Sequence, residues 1–428
     1  MSRRFAALPV ALALLAPLSV AQVFGPAFAT DYSFVDLGTP AAIPSPLGGV
    51  NFKPGDLNTL WLGGAANTSA GAIYEIGVTR GAGGHITAFN GTATLHANAP
   101  NIDGGLAFGP TGVLFFTGYP VNTLGEFLPG STTVNKTVTL TSAGITSSVG
   151  SIAFVPNGFP GAGRFKVLSY SSSEWYDVQL VADGQGTFDV ANAQLRASLA
   201  GGLEGAVYVG AGNPGFSVAS TLVCEYSAGK VGAYDLDANG DPVLASRRDF
   251  MTGLTGAEGA LIDPVTGDFI FSTFGGGNRV LVIKGFTQPT VYCTPKLNSL
   301  GCTPTIGFTG LPSATGPDNF FVTATSVRNR KNGLLLWGTA PDATPFHGGT
   351  LCVLNPAKFL PMLDSVGNPP PANDCTGAYS VHVTQAFLTA NGFTPGTAGY
   401  VQFTMRDPGF APPDSIALTA ALRFVVGN

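Results

Sequence analysis

Charge is what this chain has least of. Asp, Glu, Lys and Arg supply only 11% of its 428 residues, and the 20 Lys and Arg are scattered rather than clustered. With a net charge of −5, no basic face exists for nucleic acid, so that class of partner is excluded. Helical periodicity is nearly missing too; only residues 386–390 and 417–422 look briefly helical. Beyond the first residues no apolar run reaches the roughly eighteen residues of a membrane span. The C-terminal residues 423–428 carry no hydrophobic anchor followed by a basic tail. Specific catalytic signatures are absent: there is no G-x-S-x-G elbow, no H-E-x-x-H and no P-loop. The four histidines, His85, His96, His347 and His382, stand far apart.

What is abundant is turn chemistry. With Gly 59 and Pro 32 against 45% hydrophobic residues, short apolar runs are cut repeatedly by Gly, Pro, Asn and Asp, which reads as strands and turns. The expected class is all-β. The N-terminus reads as an export label: Ser2-Arg3-Arg4 is followed by an apolar stretch over 5–18. Two small-x-small exits follow, ending at Ala21 and Ala29. A signal peptide of residues 1–21 is expected, with 29 as the later alternative. The mature protein is then expected to be secreted, extracellular or at the cell surface, with the periplasm as an alternative, and free of transmembrane segments.

A self-similar unit runs through the first two-thirds. Each copy opens with Gly, a small residue and an apolar run, starting at Gly48, Gly104, Gly150, Gly205 and Gly259, in steps of 56, 46, 55 and 54 residues. A second strand follows each start after a turn, and a third and fourth fit in the first four copies. This is the spacing of propeller blades of about four strands each. The fifth copy lacks its fourth strand, and residues 32–37 ahead of the first copy form an orphan strand. Ring closure by that N-terminal strand is the economical solution, because it leaves no open sheet edge. Five blades over residues 30–286 are expected, six being the alternative if two copies have been merged.

The run from Phe250 through Glu258-Gly259-Ala260 to Asp263-Pro264 and on to Thr273 resembles the blade pattern of NHL and SMP-30/gluconolactonase-type propellers. The likeness covers this blade well and the others loosely. The residues just before the blade-opening glycines, Leu47, Asp103, Val149, Glu204 and Glu258, should ring the mouth of the central channel. Three carboxylates at equivalent positions can converge on a hard cation such as Ca²⁺, which takes several oxygen ligands. The resemblance implies the same: SMP-30-like enzymes hold a divalent metal at the mouth with a Glu ahead of a blade-opening Gly, matched here by Glu204-Gly205 and Glu258-Gly259. Asp103, Glu204 and Glu258 are therefore the expected metal ligands. Without a metal they would accept loop N–H bonds or face solvent. The acidic loop Asp235-Leu236-Asp237-Ala238-Asn239-Gly240-Asp241 starts like an EF-hand, but Ser246 occupies its twelfth position, so a hairpin turn is the simpler account. Trp61, Trp175, Tyr176 and Tyr119 are expected to pack between blades, with a sugar-facing surface as the alternative.

From residue 287 the pattern changes. Cys293, Cys302, Cys352 and Cys375 in an exported segment read as two disulfides. The local pairs Cys293–Cys302 and Cys352–Cys375 are expected, although three pairings are open. Cys224, in an apolar strand, is expected to be a buried free thiol. Alternating runs at 320–327, 333–338, 379–383 and 400–405 suggest a β-sandwich over 287–428. Tyr292-Cys293, Lys296-x-Asn298-Ser299-x-Gly301-Cys302, Gly348-Gly349 and Arg406-Asp407-Pro408-Gly409 make this tail similar to a C-terminal module of secreted planctomycete proteins. Arg406 and Asp407 are expected to pair across a turn. The functional expectation is a scaffold that binds an extracellular ligand or cell-surface component, with a structural divalent cation. The alternative is a metal-dependent, lactonase-like hydrolase at the channel mouth.

Overall fold

A computed structural model describes residues 22–81, 84–145, 148–156, 159–211, 213–286, 289–310, 312, 314, 318–394 and 397–426. The apolar export label at 5–18 and the proposed cut at Ala21 lie outside these residues. The regular structure of the described chain is mostly strand, joined by turns and loops, with one α-helix at Gln385–Ala390.

Five antiparallel sheets follow one another along the chain. The first runs Val50–Lys53, Asp56–Gly64, Ala72–Arg80, Ile86–Asn98; the second Ile102–Phe108, Leu114–Gly118, Thr123–Phe127, Lys136–Thr139. The third runs Val149–Phe154, Phe165–Ser169, Glu174–Ala182, Phe188–Ser198; the fourth Leu203–Val209, Ser220–Glu225, Lys230–Asp235, Arg248–Thr252. The fifth has Ala257–Ile262, Phe269–Thr273 and Val280–Lys284, and its outer place is taken by Ser33–Asp36 from the N-terminus, paired Phe34 to Ile283. The opening strands pack each against the next and the fifth returns to the first, which is a propeller-like ring. Hydrogen bonds tie neighbouring sheets: Gly49 N–H donates to Asp103 O at 2.7 Å between the first and second, and the Ser272 hydroxyl donates to Gly48 O at 2.6 Å between the fifth and the first. Arg80 of the first sheet also pairs with Asp263 of the fifth at 2.6 Å.

One strand departs from the expected pattern. Val23–Phe24 joins the fourth sheet as a fifth strand, paired with Met251 and Thr252. Phe28 behind it is fully buried among Tyr32, Phe216 and Phe250.

The tail holds a five-stranded sheet in the order Thr290–Tyr292, Ile416–Val425, Ala398–Arg406, Asn332–Gly338, Ala357–Asp364. A three-stranded sheet of Thr305–Thr309, Phe321–Val327 and Gly377–His382 shares one apolar core with it. Residues 417–422 are strand, not helix. They lie between two neighbours and are buried on both faces, so no alternation marks them in sequence. Tyr400 and Arg423 reach the propeller ring, each donating to Val265 O at 2.6 Å.

The disulfides correct the local pairing: Cys293 joins Cys352 and Cys302 joins Cys375. Thr290–Tyr292 pairs with Ile416–Val425, which carries Cys293 to the buried Cys352 beside Tyr400 and Ala421. The Asn298 side chain, accepting from Leu300 and Cys302 N–H, folds the intervening loop so that Cys302 meets Cys375 instead. Arg406 does not pair with Asp407; it is exposed, while buried Asp407 is held by Arg328 at 2.6 Å and by Ser299. Lys296 donates to His347 O, Asp414 O and Ile416 O at 2.6, 2.7 and 2.8 Å. Cys224 is a buried free thiol.

Candidate metal centre

Each carboxylate of the trio is placed by an irregularity in its strand. Register shifts interrupt the pairing between Ile102 and Leu106, Leu203 and Ala206, and Ala257 and Ala260. Extra residues there bend the strand and re-aim side chains that would otherwise alternate into the sheet stack. Asp103, Glu204 and Glu258 are the re-aimed residues. Hydroxyls cap the backbone that the bulges release. Thr117 accepts from Gly105 N–H and donates to Gly150 O; Ser272 accepts from Gly259 N–H and donates to Gly48 O.

The result is convergence at the ring's centre. One oxygen from each of Asp103, Glu204 and Glu258 lies within 4.8 Å of the others, and all three residues are at least 98% buried, at 1%, 2% and 1% exposure. Leu47 and Val149 hold the equivalent places in the first and third sheets and are fully buried. Glu204 reaches across two bare glycines: a Cβ on Gly104 would strike its Oε2, and one on Gly150 its Oε1 and the Leu203 carbonyl. Glycine at 150 is therefore needed for space. Gly150→Ala is expected to cost about 1–3 kcal/mol by overpacking, read as a lower midpoint in chemical denaturation; an unchanged midpoint would mean that Glu204 can lie elsewhere.

Electrostatics show how unfinished the cluster is. Asp103 Oδ2, Glu204 Oε2 and Glu258 Oε2 are buried without a hydrogen-bond partner. Burial pushes Asp103 up to about 7, against hydrogen bonds from Glu258, Asn67 and the Gly104 N–H that favour its charge. Burial and then the Asp103 charge push Glu204 well above the usual carboxylate range. Glu258 rises for the same first reason, and then through the charges of Glu204 and Asp103. Uncompensated carboxylates this close either hold protons or hold a cation.

Asn67, which the repeat does not mark, belongs to the same place. It follows the second strand of the first sheet, bonds Asp103, and leaves its own Oδ1 buried and unpartnered. Asp103, Glu204 and Glu258 with Asn67 are a hard, all-oxygen donor set suited to Ca²⁺. The first residue after the second strand is Ala65 in the first sheet and aromatic in the other four. Tyr119, Tyr170, Tyr226 and Phe274 each follow the second strand of sheets two to five and are half-buried. Consecutive rings meet edge to face at 5.5, 5.5 and 5.9 Å. The backbone couples arc to carboxylates. Asn101, Gly202 and Gly256, two residues before Asp103, Glu204 and Glu258, take positive φ values of 62, 68 and 62°. Their carbonyls accept from the N–H of Tyr119, Tyr226 and Phe274 at 3.0, 2.9 and 2.8 Å.

Other expected sites resolve as structure. In the EF-hand-like loop, Asp237 accepts from Asn239 and Asp241 N–H, closing a turn. Asp241 is held by Lys166, Arg196 and Trp175 at 2.6, 2.7 and 3.0 Å, and Asp235 by Arg248. Trp61, Trp175 and Tyr176 are buried, unlike Tyr119. His85 pairs with Asp268, His96 stacks on Trp61, His347 bonds Pro413 O, and His382 meets Asp318. A cavity of about 410 Å³ opens on the third sheet among Phe154, Arg164, Phe165, Gln179 and Phe188, not at the trio.

No family model matches the chain, and no curated protein does. Among solved structures it is similar to an auxiliary nutrient binding protein from Bacteroides ovatus, at 13% identity and a TM-score of 0.34, over 59% of this chain and 77% of that one. Virginiamycin B lyase from Staphylococcus aureus matches at 15% identity and a TM-score of 0.27, over 62% and 77%. The PQQ-bound aldose sugar dehydrogenase from Streptomyces coelicolor matches at 12% identity and 0.30, over 58% and 82%. Likenesses this remote assign neither activity nor ligand.

Proposed function

We propose that this chain is an exported ligand-binding propeller whose central mouth is built around a divalent cation, with Asp103, Glu204 and Glu258 as its ligands and Asn67 as a further oxygen donor. The observation that carries the reading is the meeting of three buried carboxylates, one oxygen of each within 4.8 Å of the others, with one unpartnered oxygen on each group. Three such groups with no cationic side chain among the groups acting on them are stable together only with protons or a cation. When bound, a cation such as Ca²⁺ supplies positive charge at the meeting point of five strands, and so ties the ring together. The five sheets read as five blades over residues 30–286, and residues 287–428 as an accessory β-sandwich stapled by the two disulfides. Those disulfides fit an oxidising compartment, and no helix among the described residues is long and apolar enough to cross a membrane. The ligand is then an extracellular molecule or cell-surface component. The lactonase-like alternative asks for a base beside the metal. Among the described residues the cluster is three carboxylates alone and the histidines are engaged elsewhere, so no observation favours it.

Tb³⁺ tests the centre directly, because Tyr119 and Tyr226 feel the charges of the trio and can sensitise a lanthanide bound there. Excitation of tyrosine should produce terbium emission that Ca²⁺ competes away and that Glu204→Gln abolishes. Emission that survives this substitution would place the ion elsewhere.

A further inference from the structure

We infer that the cavity on the third sheet is a binding site for a neutral saccharide. The inference rests on the ligand-binding reading above and names a ligand class for it. It does not rest on the cation centre, whose residues do not line this cavity. Strand lengths make the concavity. Phe165–Ser169 has five residues, whereas Glu174–Ala182 and Phe188–Ser198 have nine and eleven. Phe165 pairs with Val178, so among the described strands residues 179–182 pair only with the outer one. Beside this overhang lies a hollow of about 410 Å³, within the roughly 300–1,000 Å³ of small-molecule sites. Its wall is preformed. Phe154, Phe165 and Phe188 pack on the fully buried Phe115 at 5.6, 5.8 and 5.8 Å. The Phe188 N–H donates to buried Glu126 of the second sheet at 2.9 Å, and Lys136 bonds Asp183 and Asp189 at 2.8 and 2.6 Å. A wall fixed beforehand loses little freedom when a ligand arrives.

The lining selects the ligand class. Phe154 and Phe188 are partly exposed, unlike Phe115, and offer apolar surface to a ligand. Three exposed carboxamides, Gln179, Asn192 and Gln194, line the same cavity. Asn192 donates to Gln179 Oε1 at 3.2 Å. That bond uses one donor and one lone pair, so both side chains keep donors and acceptors for a ligand. Groups that both donate and accept match hydroxyls, which do the same. The charged residues of the wall, Arg164 and Asp177, pair with each other, and Asp177 also lies 3.5 Å from Lys166. An ionic ligand therefore finds no unpaired counter-charge here. A pyranose carries no charge, has a C–H face for the rings and a hydroxyl rim for the amides, and so uses every part of the wall.

The test titrates the full mature chain by calorimetry with cellotriose, maltotriose, mannotriose and triacetylchitotriose, and with trigalacturonic acid as the acidic control. At least one neutral trisaccharide should bind, and the acidic one at least about tenfold more weakly. Gln179→Ala and Asn192→Ala should each weaken the bound sugar about tenfold, as expected when hydrogen bonds to it are lost. Both positions are exposed, so an unchanged melting temperature shows that these variants fold; Phe188→Leu should weaken the same sugar. Binding should persist in EDTA and in Glu204→Gln. No binding of any neutral trisaccharide overturns the inference, as does binding that all three substitutions leave unchanged or that the acidic sugar matches. Binding lost in EDTA or in Glu204→Gln would move the sugar to the channel mouth and also overturn it. The terbium experiment judges the cation centre separately, so either reading can fail without the other.

Discussion

Stripped of cations, the protein is expected to lose stability as pH rises from about 4 through about 7 and above, and Ca²⁺ is expected to restore it. The sign follows from the trio. Burial raises Asp103 to about 7 and holds Glu204 and Glu258 well above the usual carboxylate range, whereas in the unfolded chain all three titrate near about 4. A raised acid binds protons more tightly in the folded state, so its contribution is fully present below the unfolded value. It is lost as pH climbs through the folded values. Cation binding requires the deprotonated carboxylates, so the stabilisation by Ca²⁺ grows over the same range. At a hundredfold excess over its dissociation constant, Ca²⁺ should add about 2.7 kcal/mol. Glu204→Gln combined with Glu258→Gln reduces the pH dependence to what Asp103 alone contributes and removes the response to Ca²⁺, since it takes away two of the three crowded charges. Melting temperatures measured across pH with EDTA and with Ca²⁺ decide the matter. A flat profile for the unaltered protein in EDTA, or a Ca²⁺ shift that survives the double substitution, would falsify the cation centre.

The second large effect concerns where the mature chain starts. Export cleavage after Ala21 keeps Val23–Phe24, which pairs with the fourth sheet, and Gly25, whose N–H donates to Phe250 O at 2.9 Å. Cleavage after Ala29 would remove these along with Phe28. That ring is fully buried, packed at 5.1 Å on Phe216 and 5.0 Å on Phe250, with the Arg248 guanidinium 5.7 Å above it. Emptying a site of this kind costs about 3–5 kcal/mol for the ring alone, and the lost strand exposes the outer edge of the fourth sheet. Under the proposed export, N-terminal sequencing of the mature protein should therefore read Gln22. A chain beginning at Thr30 should melt well below one beginning at Gln22, or aggregate. Equal melting of the two would show that residues 22–29 are dispensable.

Much of the ring is legible in the amino-acid order alone. The recurrent Gly-small-apolar openings at Gly48, Gly104, Gly150, Gly205 and Gly259 mark the inner strands, because strands crowded at a centre leave no room for side chains there. The missing fourth strand of the last unit and the orphan strand ahead of the first can be matched by counting, and Ser33–Asp36 does pair with Val280–Lys284. Asp103, Glu204 and Glu258 stand out because a repeat puts equivalent residues at equivalent places around an axis. Nothing in the repeat marks Asn67. It lies three residues past its strand, two beyond the place where the other sheets carry an aromatic ring, and it becomes visible only through its bond to Asp103.

What the sequence by itself determined is everything periodic or local: the all-β class, the repeat, the ring closure, the three carboxylates and the buried Cys224. What only the tertiary structure decided depends on partners distant along the chain. Cys293 lies nine residues from Cys302 but is carried to Cys352 by pairing with a strand more than a hundred residues later. Asp407 takes Arg328 rather than its neighbour Arg406 because a buried charge is held by whichever cation the packed sheets bring to it. The unpartnered oxygen on each of the three carboxylates is likewise a fact of packing: burial, not composition, makes three acids in a sparsely charged chain into a cluster that must hold protons or a cation.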